Sequence, residues 1–179
     1  VGEAQLGLID GVVSTKSGWL ARREVVEVAF DPRTLDYGDL VGKAEKARCV
    51  SPVFTRDDGQ HAIAKRLVGK DAVRNDDPVR ADKDTKFYLK KNLLRFVPLT
   101  GPQASRINGH LGVIGGKKGL EAATALLSPR QLELYASIRE HPRAGWKSAV
   151  GRAFPEAWSE AEAIRRGLTE KRPKGRGDR

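Results

Sequence analysis

Val12, Val13 and Thr15 are β-branched, and a period of two follows on the even-numbered face from Glu24 through Val26 and Val28 to Phe30, with Val25 also β-branched, before a stop at Asp31-Pro32. β-Branched residues at that period predict two adjacent strands, with turns at Asp10-Gly11 and Ser17-Gly18. A short apolar piece over residues 4–9 precedes them and reads as helical. After Asp31-Pro32 the period lengthens. Leu35, Leu40, Val41, Ala44 and Ala47 recur at helical spacing, with Thr34 or Asp36 placed to cap a helix that ends near Arg48. Residues 50–55 return to strand composition, and Asp57-Asp58-Gly59-Gln60 opens a helix whose apolar positions are Ala62, Ile63, Leu67 and Val68. Asn75-Asp76-Asp77-Pro78 is a polar loop, and residues 84–92 are helical or turn-like. Strands alternating with helices predict an α/β or α+β domain.

From Pro102 onward the strand signal fades. Gly112, Gly115, Gly116 and Gly119 predict a flexible connection. Glycines beside lysines can hold a phosphate, but no helix-opening GxGxxG and no Walker lysine-serine pair follows, so a loop is the reading here. Ser128-Pro129-Arg130-Gln131 predicts a helix start, with a serine cap, proline at the first position and glutamine three residues after the cap. Leu132, Leu134, Tyr135 and Ile138 give that helix an apolar face, and a further helix is predicted over residues 156–166. Trp146 and Trp158 are expected to pack these helices. The organisation expected is an α/β domain over residues 1–92, a connecting segment over 93–127, a helical extension over 128–170 and a basic disordered tail over 171–179.

Composition narrows the classes. The 179 residues are 39% hydrophobic and 31% charged, a soluble globular balance. No apolar run approaches the roughly 20 residues of a membrane helix, so no membrane partner is expected. The net charge of +10 is uneven, since residues 164–179 carry seven basic and two acidic side chains. That end reads as solvated, with weak affinity for polyanions; RNP, zinc-finger and KH signatures are absent, which leaves nucleic acid as a weak partner at most. Cys49 is the single cysteine, so no internal disulfide forms. The chain opens on Val1 and contains no methionine, so a preceding segment, with any targeting signal, has to be considered. The compartment is left open, with the cytoplasm favoured.

Two side chains carry candidate chemistry. Glu24 shares the even-numbered face of its strand with Val26, Val28 and Phe30, beside a turn. A carboxyl group partly desolvated there would hold its proton and could donate it; the alternative is a solvated glutamate paired with Arg22 or Arg23. Cys49 follows Arg48 at a helix-to-strand junction with Lys46 close by, and nearby positive charge favours the reactive thiolate. Its alternative is a small buried hydrophobe. Trp19 and Phe87-Tyr88 are placed to line a pocket or to fill the core. His61, His110 and His141 are far apart, so no metal site is expected, and no GxSxG elbow supports a serine hydrolase.

The order of these pieces carries a resemblance. Gly2-Glu3, then Gly11-Val12-Val13-Ser14-Thr15-Lys16-Ser17-Gly18-Trp19, then Glu24-Val25-Val26-Glu27-Val28-Ala29-Phe30-Asp31-Pro32 resembles the A-type peptide-methionine sulfoxide reductases. In that family GCFWGxE is followed by GVxxTxxGY and HAExVxVxxDP. Ser51-Pro52-Val53-Phe54 with Asp57 and Gln60 resembles its RSAIFxxxxxQ segment, and Thr85-Lys86-Phe87-Tyr88-Leu89-Lys90-Lys91-Asn92 resembles HQxYLxKN.

The resemblance covers about residues 1–92 and implies a mixed-sheet two-layer α/β sandwich with thiol chemistry. A cysteine attacks the sulfoxide sulfur, a protonated glutamate supplies a proton to the oxygen, tyrosines orient that oxygen, and thioredoxin or a similar external thiol regenerates the enzyme without a bound cofactor. Glu24 falls on the family's glutamate, and Trp19 replaces a tyrosine as a substrate-binding residue without its hydroxyl. Cys49 falls on the tyrosine of QYRS, which places it as a resolving or auxiliary thiol, or as the nucleophile itself. The family's own nucleophile lies in GCFWG, upstream of Gly2-Glu3 and outside this sequence. The expected substrate is methionine sulfoxide, in a peptide or protein. The competing expectation is a non-catalytic binding module whose basic tail holds an acidic partner or nucleic acid.

Overall fold

The computed structural model describes residues 2–170. The basic tail over residues 171–179 lies outside the described residues. A short helix α1 (Gly2–Gly7) leads into β1 (Val12–Leu20) and β2 (Arg23–Phe30), an antiparallel hairpin with Trp19 opposite Glu24. Ala21 and Arg22 form its two-residue turn at φ 49° and 61°, the left-handed pair that matches the twist of the strands.

The turn expected at Ser17-Gly18 is absent, because β1 runs straight through it. A third strand, β5 (Arg80–Ala81), pairs with β1 at Gly18 and Trp19. A Cβ on Gly18 would lie 2.7 Å from the Arg80 carbonyl oxygen, so the glycine admits a close neighbour rather than a bend. The sheet order β2-β1-β5 leaves β2 at an edge.

Helix α2 (Tyr37–Lys46) begins after Asp36, whose carboxylate accepts from the Gly38 amide at 2.7 Å, and it buries Leu40, Val41 and Ala44. β3 (Val53–Thr55) and β4 (Ala72–Arg74) pair in parallel across α3 (Asp58–Val68), which Asp57 caps. The fold is therefore mixed α/β. Its described strands form an antiparallel three-stranded sheet and a separate parallel pair.

The C-terminal half is helical: α4 (Phe87–Lys90), α5 (Gly101–Gly109), α6 (Gly116–Thr124), α7 (Pro129–Glu140) and α8 (Phe154–Glu170). The glycine-rich stretch is not the expected flexible connection. It forms the end of α5, a π turn over His110–Ile114 and the start of α6. A Cβ on Gly112 would lie 2.4 Å from the Tyr88 ring, so this glycine serves packing. Leu89, Leu94, Ile107, Leu134 and Ile138 are fully buried at the centre of the main core, with Trp146 buried beside them and Trp158 packed against them. The capping box read at Ser128 and Gln131 forms as expected. α5 binds this half to the first: Ser105 Oγ accepts from the Thr15 amide at 3.0 Å, and the Arg106 guanidinium donates to the Leu8 carbonyl at 3.1 Å. No described helix is long and apolar enough to cross a membrane.

One buried ion pair fixes α1 against the hairpin. Glu3 and Lys86 are only 8% and 7% exposed. Lys86 Nζ donates to Glu3 Oε1 at 2.6 Å, the Lys86 amide donates to Glu3 Oε2 at 2.7 Å, and Thr85 Oγ1 donates to Glu3 Oε1 at 3.0 Å. Lys86 Nζ also donates to the Thr15 carbonyl and to Thr15 Oγ1. Burial pulls the Lys86 ammonium below the ordinary lysine value, while the Glu3 carboxylate opposes that shift. Removing one partner strands a charge in the interior. Glu3→Gln is expected to cost about 3–5 kcal/mol in urea unfolding, with much of it recovered in the double variant Glu3→Gln, Lys86→Met. Unchanged stability of the single variant would show the pair to be dispensable.

Candidate functional site

A cleft of about 740 Å³ opens between the two sheets, a volume suited to a small ligand or a side chain with its flanking backbone. Leu40, Val41 and Ala44 of α2 and Leu6 of α1 supply apolar surface. β2 from Glu24 to Val28 lines one side, and residues 47–54 line the other. Glu24, Cys49 and Gln60, widely separated in sequence, meet on this one cleft, and Gly2 joins them.

Cys49 is delivered by the end of α2. The Arg48 amide donates to the Glu45 carbonyl and the Cys49 amide to the Ala44 carbonyl, both at 2.8 Å, with Arg48 at φ 56°. This is the paired hydrogen-bond pattern that closes a helix C-terminus and turns the chain sharply. The thiol then donates to Gln5 Oε1 at 3.2 Å and to the Ala47 carbonyl at 3.3 Å. Both partners are acceptors, so both favour the protonated thiol. The expected stabilisation of the thiolate by neighbouring cations is not what this site provides, since burial pushes the Cys49 thiol up from its ordinary value.

Glu24 reaches the cleft from its rim. It is exposed, two residues beyond the hairpin turn, and it has no ion-pair partner among the described residues. The expected partial desolvation is absent because β2 is an edge strand and no layer covers its first residues. Neither Arg22 nor Arg23 pairs with it. Trp19 stands opposite Glu24 in the hairpin register but outside the cleft lining, 38% exposed, with the Arg80 guanidinium carbon 5.9 Å from the ring centroid. Phe87 is exposed and Tyr88 packs on Gly112, so neither enters the cleft.

Three lining residues were not singled out as chemistry by the sequence. Gln5 accepts the thiol hydrogen bond. Gln60 Oε1 accepts from the Arg56 amide at 3.0 Å, which ties the start of α3 to the end of β3. Tyr37 lines the cleft with a buried hydroxyl that has no hydrogen-bond partner among the described residues, and burial raises its phenol above the ordinary value. A sequence signal existed only for Gln60, through its place three residues after Asp57. Among the described residues no three histidine, cysteine or acidic side chains gather as metal ligands.

The raised thiol has a direct consequence in solution. Alkylation of Cys49 by iodoacetamide is expected to be slower than that of free cysteine at pH 7, and to accelerate past the ordinary thiol range as pH rises. Gln5→Ala, which removes one acceptor of the thiol proton and uncovers the sulfur, is expected to shift that profile toward lower pH. Mass spectrometry of the labelled chain reads both, and a profile identical to free cysteine would contradict the burial effect.

No family model matches the chain, and no curated protein matches it.

Proposed function

We propose that the chain is a thiol-dependent reductase of methionine sulfoxide or a related sulfoxide, of the sulfoxide-reductase-like class, with Cys49 as its thiol and Glu24 as proton donor. The observation that carries this reading is the convergence of Gly2, Glu24, Cys49 and Gln60 on one cleft. Those residues belong to segments that resemble the reductase motifs, and their sequence separation alone gives no reason for them to meet.

The chemistry balances with an external thiol. Cys49 Sγ, once ionised, attacks the sulfoxide sulfur while the solvent-exposed Glu24 relays a proton from water to the oxygen; the sulfur–oxygen bond breaks, the thioether leaves and the oxygen ends on Cys49 as a sulfenic acid. A first thiol of a thioredoxin-like reductant forms a mixed disulfide with Cys49 and releases water. A second thiol displaces Cys49 and carries off the disulfide, so two thiols supply the two electrons that reduce the sulfoxide. Apolar surface from Leu40, Val41 and Ala44 suits the methyl and methylene groups of the substrate, and no bound cofactor takes part. Because the thiol is held protonated, turnover rises with pH as the thiolate fraction grows.

The test is steady-state reduction of N-acetylmethionine sulfoxide with dithiothreitol. Cys49→Ser is expected to abolish turnover and Glu24→Gln to lower kcat by about 100-fold or more. Undiminished turnover in Cys49→Ser would remove Cys49 from the mechanism.

A further inference from the structure

A second cavity, of about 240 Å³, lies between β1, the start of α5 and the turn over residues 149–152. It shares no lining residue with the cleft beside Cys49. One water needs only about 10–15 Å³ of such space, so a molecule of several non-hydrogen atoms has room here. Leu89, Val97, Leu99 and Ala104 give the cavity an apolar wall, and no aspartate or glutamate lines it.

The polar part of the lining is short of acceptors. Thr15 and Ser105 are each 1% exposed. Ser105 Oγ accepts from the Thr15 amide at 3.0 Å, and Thr15 Oγ1 accepts from Lys86 Nζ at 3.1 Å, but neither hydroxyl donates to any group among the described residues. A hydroxyl carries a proton to donate as well as its lone pairs, so two buried donors are left on this lining without an acceptor. The exposed start of α5 adds a third. Pro102 has no amide hydrogen and the Gln103 amide is taken by Thr100 Oγ1, which leaves the Gly101 amide unused.

The charges are one-sided as well. Lys86 is neutralised by Glu3, and Arg152 is paired with Glu160 at 2.5 Å. Lys16, on the same lining, has no ion-pair partner among the described residues. After burial, the charge of Lys16 also holds the Lys86 ammonium down, so the two cations sense each other. One positive charge is left over beside the two unsatisfied hydroxyls.

We propose that this cavity binds one small monocarboxylate with a short aliphatic chain. Its oxygens are acceptors only and take the Thr15 and Ser105 protons, its single charge matches Lys16, and its chain lies on the apolar wall. An amide of the same shape has no charge to offer Lys16, and inorganic phosphate has no chain for the wall. The inference uses neither Cys49 nor Glu24 and stands apart from the reductase reading.

The test is titration of the isotope-labelled full chain with butyrate, butyramide and inorganic phosphate, read by amide chemical shifts. Butyrate is expected to saturate with a dissociation constant of about 1 mM or tighter, moving the Thr15, Lys16, Gly101 and Ser105 amides. Butyramide and phosphate are expected to bind at least about tenfold more weakly, and Lys16→Gln and Ser105→Ala each to weaken butyrate by about tenfold or more. Cys49→Ser is expected to bind butyrate as the unaltered chain does. The proposal is overturned if butyrate fails to saturate, which would leave water as the acceptor of the two hydroxyls. It is overturned equally if butyramide or phosphate binds as tightly, or if the shifts cluster away from these four residues. Because Ser105→Ala also removes the acceptor of the Thr15 amide, the exposed Lys16 decides: undiminished binding by Lys16→Gln sinks the proposal.

Discussion

The Glu3–Lys86 pair is the constraint on which the site depends. Its donors and acceptors come from α1, from β1 and from the residues that open α4, so a single buried charge pair ties three segments together. The pair is costly to desolvate, and its geometry answers that cost with five hydrogen bonds to or from the two charged groups. With α1 held in this way, Gln5 is set against the Cys49 thiol and Gly2 is set between the two walls of the cleft. Such a pair contributes specificity of placement as much as stability.

The cleft follows from how the strands are divided. Because the hairpin and the parallel pair do not join, a gap is left between β2 and β3, with α2 beneath it. The same helix that supplies the floor ends in a tight turn that points Cys49 into the gap. A thiol with two acceptors and partial burial is kept protonated, which makes it slow to react and sheltered from adventitious oxidation near neutral pH. Glu24, by contrast, stands exposed at the rim of the cleft.

Much of the local structure was legible in the sequence, because it is set by residues close together along the chain. The strand from Glu24 to Phe30, the cap at Asp36, one of the two positions offered for it, the helix start at Asp57-Asp58 and the capping box of Ser128 and Gln131 all form where the pattern places them. The misreadings share one cause. Ser17-Gly18 and the glycines after Ile107 read as turns and loop, yet Gly18 admits β5 and Gly112 admits Tyr88, contacts made by residues remote in sequence. The environment of Glu24 was misjudged for the same reason, since only the order of strands reveals that β2 is an edge. That Cys49 and Glu24 line one cleft was legible through motif order alone, whereas Tyr37 left no signal, because nothing local marks its hydroxyl as buried without a partner among the described residues.

The central claim is that Cys49 exchanges electrons with a sulfoxide bound in this cleft. It is tested most directly by a single turnover without reductant, in which the reduced chain is mixed at alkaline pH with excess N-acetylmethionine sulfoxide and dimedone, followed by mass spectrometry. The account predicts one dimedone adduct per chain, located on Cys49, with one equivalent of thioether released. An unmodified Cys49, with no thioether formed, would contradict it.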